Sequence, residues 1–426
     1  MKTKVIEALP ELVKNNVISE EVALKIREFY DVQQTDSPNK LFTLFGVMGA
    51  LLVGLGIILI VAHNWEDFPR SLKTIFAFLP LLIGQVVAGF TILKSKSTTW
   101  REAAGTFLFF AVGSSIALVS QIYNIPGDLS TYMLTWILLC MPLVYLLKSN
   151  AVAILHLVFS TVYAVSLGYG FNGLAEVPWW YLLVLGFLLP YYFQMISRRP
   201  QAQMVSIFNW LVPLSLVLTL GAFLKENGEL GYLMYIVLFG IFYNIGKLTF
   251  FKGHKLRWNG YLILGSVGTV VTLMILSFID VWNFDRQASL FSSPEFFMAA
   301  LLFCIALGIL IYVDKRRGID RSNLYHYAFV LFTILFFVGM VHGLTATILV
   351  NILVLLLGLM TIKLGTDKSH FGILNYGLLI ITALIVCRFF DTDMSYIIRG
   401  LLFVGVGIGF FLSNYIMLKR RNKSVN

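Results

Sequence analysis

Residues 41–62 read LFTLFGVMGALLVGLGIILIVA, a run of 22 residues without a charged side chain. An α-helix needs about 20 apolar residues to cross the hydrocarbon core of a bilayer. Comparable apolar runs follow one another along the chain as far as residue 417. We predict fourteen spans, at residues 41–63, 72–93, 102–122, 130–147, 150–170, 177–195, 203–223, 229–248, 258–280, 294–314, 323–341, 343–362, 369–388 and 394–417.

The composition supports a membrane protein. The chain of 426 residues is 58% hydrophobic and 13% charged, whereas soluble domains average about 25% charged residues. A transmembrane β-barrel would show segments of about ten residues that alternate apolar and polar side chains. The apolar runs here are continuous and of helical length. The predicted fold class is therefore all-α, a polytopic integral membrane protein.

The basic residues predict the orientation of the spans. With the N-terminus in the cytoplasm, 26 of the 32 Lys and Arg residues fall on the cytoplasmic side, whereas the acidic residues divide evenly. Cytoplasmic loops of membrane proteins carry such an excess of Lys and Arg. A missed span would invert every later loop, so the pattern favours an even number of spans with both termini in the cytoplasm. The net charge of +10 then indicates orientation and contact with anionic lipid, and we expect no nucleic-acid partner.

Three regions are predicted. Residues 1–37 form a cytosolic hairpin of two amphipathic helices with a linker, residues 38–418 form the transmembrane domain, and residues 419–426 form a basic cytosolic tail. Ser19 is expected to cap the second hairpin helix, with Glu20 and Glu21 complementing its dipole. A weak echo of residues 41–65 at 260–282 predicts a duplication that relates spans one to six to spans nine to fourteen.

Uncharged polar side chains enter the spans, whereas no acidic residue lies near the middle of any span. Gln85, Ser114 and Asn351 are placed near mid-depth by the span assignment. An amide in lipid is costly, so each is expected to face other helices. Two interpretations stay open: the three side chains line a path for a solute, or they form hydrogen bonds between helices.

A second set of candidates lies at the outer ends of the first, third and last two spans. The set comprises His63, Asn64, Trp65, Glu66, Asp67, Gln121, Tyr123, Asn124, Asp128, Arg388, Asp391 and Arg399. Arg388 or Arg399 is expected to pair with Asp391 or with a carboxylate of the first loop. Such a cluster is suited to a polar head group or a small solute. The alternative is an interfacial belt, with aromatic side chains anchored at the head groups and solvated acids.

Motifs of soluble enzymes are absent or broken. The stretch from Gly240 to Leu248 resembles a phosphate-binding loop, but it has five residues between the glycines and a Leu in place of Ser or Thr. The three cysteines occupy three different apolar runs without CxxC spacing. We therefore predict neither an enzyme, nor a cofactor, nor a metal site.

Several motifs resemble a bacterial family of membrane proteins, domain of unknown function 2157. They are ISEE at 18–21, AHNW at 62–65, and Gln121-Ile-Tyr123 followed by Gly127-Asp128. The resemblance covers residues 8–150, and RFFD at 388–391 with RGLLF at 399–403 is similar to the C-terminal stretch of the family. His63 stands where a small residue is expected. The resemblance implies a bacterial inner-membrane protein and brings no activity.

The sequence leads to two hypotheses for the function. The first is a carrier- or flippase-like protein that moves a polar or amphipathic small molecule or a lipid. The second is a scaffold or envelope sensor that acts through the N-terminal hairpin. A carrier is expected to contain a cavity that is lined by polar groups and reaches the middle of the membrane. The interior of a scaffold is instead expected to be filled by packed side chains, without a hydrated cavity.

Overall fold

A computed structural model describes residues 9–10, 12–15, 17–32, 65–171, 175–198, 200–225, 227–251, 256–283, 290–317, 323–391 and single positions between 397 and 415. Every regular element in these ranges is a helix. The chain forms two compact units, residues 1–76 and 77–426.

Thirteen α-helices are described. They are α1 Glu20–Val32, α2 Arg70–Leu93, α3 Thr98–Tyr123, α4 Leu129–Leu147, α5 Asn150–Gly168, α6 Trp179–Arg198, α7 Gln203–Leu220, α8 Glu229–Ile245, α9 Gly260–Ile275, α10 Pro294–Arg317, α11 Ala328–Val341, α12 Gly343–Asp367 and α13 Phe371–Asp391.

Helices α2 to α13 coincide in order with the second to thirteenth predicted spans. Nine of them are long and apolar enough to cross a membrane, whereas α8, α9 and α11 are shorter apolar helices. Short 3₁₀ turns lie near the ends of the shorter helices, at Ile279–Trp282 after α9 and Leu324–His326 before α11. The first predicted span, 41–63, lies outside the described residues, as does most of the last.

In the first unit, α1 begins as its sequence predicts. The Ser19 hydroxyl accepts a hydrogen bond from the backbone N–H of Val22 at 3.4 Å. Lys25 forms an ion pair with Glu21 one turn earlier, at 2.7 Å. Both contacts stabilise the first turn of the helix.

Helix α8 lies at the centre of the second unit. It packs against α9, α10 and α11, and nearly all of its residues from Leu230 to Asn244 are buried. A helix that is apolar around its whole circumference is suited to this position. Gly265 and Gly268 of α9 meet Tyr243 and Phe239 of α8 so closely that a β-carbon on either glycine would overlap them.

Glutamates near two span ends bind backbone N–H groups of other helices or loops. Glu102 of α3 accepts hydrogen bonds from the N–H groups of Asn150 at 2.9 Å and Ala151 at 2.8 Å, and from the Ser149 hydroxyl. A carboxylate at this place complements the dipole at the start of α5. Glu295 of α10 accepts a hydrogen bond from the N–H of Lys225 at 3.0 Å.

Candidate functional site

Asp128 starts α4 and is the first element of the candidate site. Its carboxylate accepts hydrogen bonds from the N–H and the hydroxyl of Thr131, both at 2.8 Å. This is an N-cap, since a helix leaves its first N–H groups without partners in its own backbone. The two hydrogen bonds favour the charged form and lower the pKa of Asp128 below its ordinary value.

A cleft of about 660 Å³ lies beside Asp128, where the start of α4, the end of α5 and the start of α6 meet. We call it the acidic cleft, because the described residues that line it include two carboxylates and no basic side chain. It is lined by Asp128, Ser130, Thr131, Leu134, Tyr163, Ser166, Leu167, Gly170, Glu176, Val177, Trp179 and Trp180.

The acidic cleft combines charge, aromatic surface and hydroxyl groups. Trp179 and Trp180 are half exposed, at 54% and 51%. Tyr163 is buried, at 3% exposure, and both carboxylates of the cleft are near enough to its hydroxyl to interact with it electrostatically. Ser130 donates a hydrogen bond to Ser166 at 3.4 Å. Such a lining is suited to a polar molecule that carries positive charge.

On the other side of α4, a groove of about 910 Å³ lies between α2, α3 and α4. We call it the lateral groove. It is lined by Phe78, Leu81, Gln85, Val112, Ser115, Ile116, Ala117, Val119, Ser120, Ile125, Pro126, Gly127, Asp128, Leu129, Thr131, Tyr132, Thr135 and Leu139. Most of these side chains are apolar, as is typical of a surface that accommodates a hydrocarbon chain.

The lateral groove is deep relative to a bilayer. It runs along α4 from Asp128 to Leu139, a distance of about 16 Å at the rise of an α-helix. The hydrocarbon core of a bilayer is about 30 Å thick. The groove therefore extends from one end of these helices to about half of the membrane thickness.

Asp128 and Thr131 line both the acidic cleft and the lateral groove. The start of α4 thus separates a polar, acidic space from an apolar one. A molecule with a polar head and an apolar tail is able to contact both spaces at the same time.

The three predicted mid-depth residues lie in different surroundings. Gln85 of α2 is exposed and lines the lateral groove, and its amide has no hydrogen-bond partner in the described part of the chain. Ser114 is exposed and is not among the groove residues, whereas the neighbouring Ser115 lines the groove and donates a hydrogen bond to the Ala77 carbonyl at 2.7 Å.

Asn351 meets the end of α9 instead. Its amide donates hydrogen bonds to the carbonyls of Ser277 at 3.0 Å and Thr347 at 2.8 Å. Arg388, predicted at the outer face, donates to the Ser277 hydroxyl at 3.3 Å and lies over the ring of Phe278 at 4.6 Å. The side chain of Asp391 is outside the described residues, so its predicted pairing stays a prediction.

The remaining outer-face candidates belong to the first unit, to the second unit or to parts of the chain outside the described residues. His63, Asn64 and Arg399 lie outside the described residues. In the first unit, Lys73 lies over the ring of Trp65 at 5.9 Å and donates to the carbonyl of Glu66 at 3.3 Å. The side chains of Glu66, Asp67, Gln121, Tyr123 and Asn124 are exposed.

Four further residues of the acidic cleft were not predicted from the sequence, namely Tyr163, Glu176, Trp179 and Trp180. The signal was present, because Glu176 precedes the sixth predicted span and the pair Trp179-Trp180 lies at its start, on the same side as Asp128. Helices that follow one another with short loops usually pack together. The proximity of the start of the fourth span, the end of the fifth and the start of the sixth could have been inferred on this ground.

Within the described ranges, no group of three or more His, Cys, Asp or Glu side chains is arranged to hold a metal ion.

The lateral groove lies within the part of the chain that matches a known protein family. Residues 10–153 match the family described as Predicted membrane protein (DUF2157). The match confirms the resemblance predicted for residues 8–150. The DUF2157 match contains every residue of the lateral groove, including Asp128. It ends before four residues of the acidic cleft, namely Tyr163, Glu176, Trp179 and Trp180. No curated protein and no solved structure matches the chain.

Proposed function

We propose that this protein is a carrier- or flippase-like protein of the bacterial inner membrane that takes a polar or amphipathic small molecule at its outer face. It has fourteen spans and both termini in the cytoplasm in this proposal, as the distribution of Lys and Arg favours. The start of α4 and the end of α5 then face outward. The acidic cleft and the lateral groove open at the outer surface.

The observation that carries the proposal is the shared wall of the two spaces. The same two residues, Asp128 and Thr131, line an acidic cleft and an apolar groove that reaches about half of the membrane thickness. Gln85 lies at the deep part of this groove with an exposed amide. An amide facing only hydrocarbon is costly, so its place in the groove favours contact with water or with a polar part of a ligand.

The experiment measures whether the lateral groove is hydrated. Gln85→Cys and Val86→Cys are made in a variant whose native cysteines are replaced by Ala, and the protein is reconstituted in nanodiscs. Each cysteine is treated with a charged methanethiosulfonate that does not enter hydrocarbon. Val86 is the matched control, because it is adjacent, 71% exposed and not part of the groove.

We expect the cysteine at position 85 to react and the cysteine at position 86 to stay unmodified. Gly127→Cys is the positive control, because a β-carbon at Gly127 has no neighbour within 4 Å and lies at the rim of the groove. If position 127 reacts while positions 85 and 86 are equally inert, the groove is dry and the carrier proposal is wrong.

The alternative function, a scaffold or sensor, has one observation in its favour. Val17, Val22 and Leu24 of the N-terminal region are exposed, at 65%, 44% and 65%. Exposed apolar side chains on a small helical segment are typical of a contact surface for a partner. Deleting residues 1–34 tests it: loss of the cellular phenotype with normal hydration of the groove would favour the sensor.

A further inference from the structure

We propose that the acidic cleft binds an ammonium group, with Asp128 and Glu176 as its counter-charges and Trp179 and Trp180 as its aromatic wall. This inference rests on the proposed function, because it names the class of molecule that the outer site takes. It depends on the charges, the tyrosine hydroxyl and the aromatic rings that line the same cleft.

The two carboxylates of the acidic cleft form no ion pair with a described side chain. Neither Asp128 nor Glu176 lies within ion-pair distance of a described Lys or Arg residue, and the lining of the cleft contains no basic residue. The hydrogen bonds from Thr131 keep the pKa of Asp128 low, so Asp128 is ionised at neutral pH. The cleft therefore presents negative charge to its contents.

Lys225 is a basic residue that interacts electrostatically with Glu176, but its ammonium group binds a backbone carbonyl. The Nζ of Lys225 donates a hydrogen bond to the carbonyl of Gly168 at 2.8 Å, at the end of α5, where the helix dipole favours a cation. Burial lowers the pKa of Lys225, and the charge of Glu176 opposes this shift. Lys225 thus lies near the acidic cleft without entering an ion pair with Glu176.

The hydroxyl group of an otherwise buried tyrosine lines the same space. Tyr163 is 3% exposed and lines the cleft, and its hydroxyl has no hydrogen-bond partner in the described part of the chain. The rest of the side chain is enclosed, so the hydroxyl is available to hydrogen-bond with water or a ligand in the cleft. The phenol oxygen is able to accept a hydrogen bond from an ammonium N–H. This residue, independently of the carboxylates, indicates a ligand.

The aromatic residues favour an organic cation over a metal ion. Trp179 and Trp180 line the cleft while remaining half exposed. The face of an indole ring attracts an ammonium group through its quadrupole. Metal ions such as Mg²⁺ and Ca²⁺ instead require several oxygen ligands in a defined geometry.

An ammonium group reaches the outer face either on a lipid, as in phosphatidylethanolamine, or on a free amine. The lateral groove distinguishes the two sources, because only the lipid has an apolar tail that contacts it. The probes are dihexanoyl phosphatidylethanolamine, spermidine, and dihexanoyl phosphatidylglycerol as a lipid without an amine. Binding of each to the purified full-length protein is measured by titration calorimetry.

We expect saturable binding of at least one ammonium probe and no binding of the phosphatidylglycerol. Binding of the ethanolamine lipid alone assigns the site to a lipid head group, and binding of both amines assigns it to any ammonium group. Asp128→Asn and Glu176→Gln are each expected to weaken binding by about tenfold or more, since close charge pairs across an interface are worth at least that much. Asn keeps the N-cap of α4.

Lys225→Gln is the matched charge variant. It removes the basic group near the cleft while the backbone N–H that binds Glu295 is retained, so we expect ammonium binding to be at least as strong as in the wild type. Each variant is first shown to unfold at the wild-type temperature. Binding of phosphatidylglycerol equal to that of the amines, or wild-type binding by the double variant Asp128→Asn/Glu176→Gln, would overturn the proposal.

The two proposals fail in different ways. A hydrated groove at position 85 without ammonium binding would leave the carrier proposal intact and remove the ammonium proposal. Ammonium binding with a dry groove would support the site and assign it to a sensor that does not transport.

Discussion

Asp128 has two roles at the level of a single residue. Its carboxylate caps α4 through Thr131 and also contributes charge to the acidic cleft. The capping role requires an acceptor atom, whereas the proposed binding role requires a negative charge. The two roles are therefore separable by substitution.

Asp128→Ala is expected to lower the free energy of unfolding by about 1 kcal/mol, because an N-cap of Asp, Asn or Ser is worth that much relative to Ala. Asp128→Asn is expected to leave it unchanged. Thermal unfolding of the purified variants in detergent measures the difference. Equal loss in both variants would mean that the charge, and not the hydrogen bonds, stabilises the start of α4.

The pH dependence of this cap follows from the lowered pKa of Asp128. A carboxyl group whose pKa is lower in the folded than in the unfolded protein stabilises the folded state. This stabilisation is complete at pH values above the ordinary pKa, and it is lost as the pH falls through the lowered pKa. The cap is thus complete at neutral pH.

Glu102 provides a second prediction. Glu102→Gln replaces an acceptor oxygen by an amide donor that faces the N–H groups of Asn150 and Ala151. Leaving such groups without acceptors costs about 1–3 kcal/mol, so we expect a lower unfolding temperature. Glu176→Gln is the control, because the described structure gives the Glu176 side chain no hydrogen bond. An equal effect in both variants would contradict the role of Glu102 as a cap.

At the level of elements, the helices were predictable and their rotation was not. A bilayer requires every backbone polar group to be satisfied within the segment, so a long apolar run predicts a helix at nearly fixed bounds. Which side chain faces a cavity depends on packing. Ser114 and Ser115 differ by one residue, about 100° around the helix axis, and only Ser115 lines the groove.

The candidate site was predictable only in part, because the sequence indicates where the helices begin and end but not how they are rotated. Asp128 and Gln85 were identified because they interrupt or bound apolar runs. Tyr163 resembles any other aromatic residue in a span, and its place in the cleft depends on how α5 is rotated against α4. Hydropathy contains no information on that rotation.

The contact between α12 and α13 depends on glycine. A β-carbon at Gly377 would lie 2.6 Å from the backbone nitrogen of Ile362 and 2.9 Å from the carbonyl oxygen of Gly358. We expect Gly377→Ala to destabilise the protein by about 1–3 kcal/mol, as overpacking does. Gly186→Ala in α6, where a β-carbon has no neighbour within 4 Å, is expected to be neutral. Detergent unfolding temperatures compare them, and a neutral result at both positions would contradict close helix approach.

For the whole molecule, the predicted orientation gives the outer and inner ends of α4. Gly127 and Lys148 lie just outside its two ends, and Lys148 is exposed. In a variant without native cysteines, Gly127→Cys is expected to react with a membrane-impermeant maleimide on intact cells. Lys148→Cys is expected to react only after the membrane is permeabilised. The reverse pattern would place both termini outside and move the acidic cleft to the cytoplasm.

The enclosed position of α8 has a consequence for how the protein is made. The chain emerges from the ribosome at about 5–20 residues per second, and Asn244 precedes its hydrogen-bond partner His326, 2.7 Å away in the finished fold, by 82 residues. The newly inserted helix therefore borders acyl chains for about 4–16 seconds on faces that later touch protein. Its Leu, Ile and Phe side chains are suited to contact with acyl chains and with protein. Asn244 lies near the head groups, where its amide is able to form hydrogen bonds with water until His326 is in place.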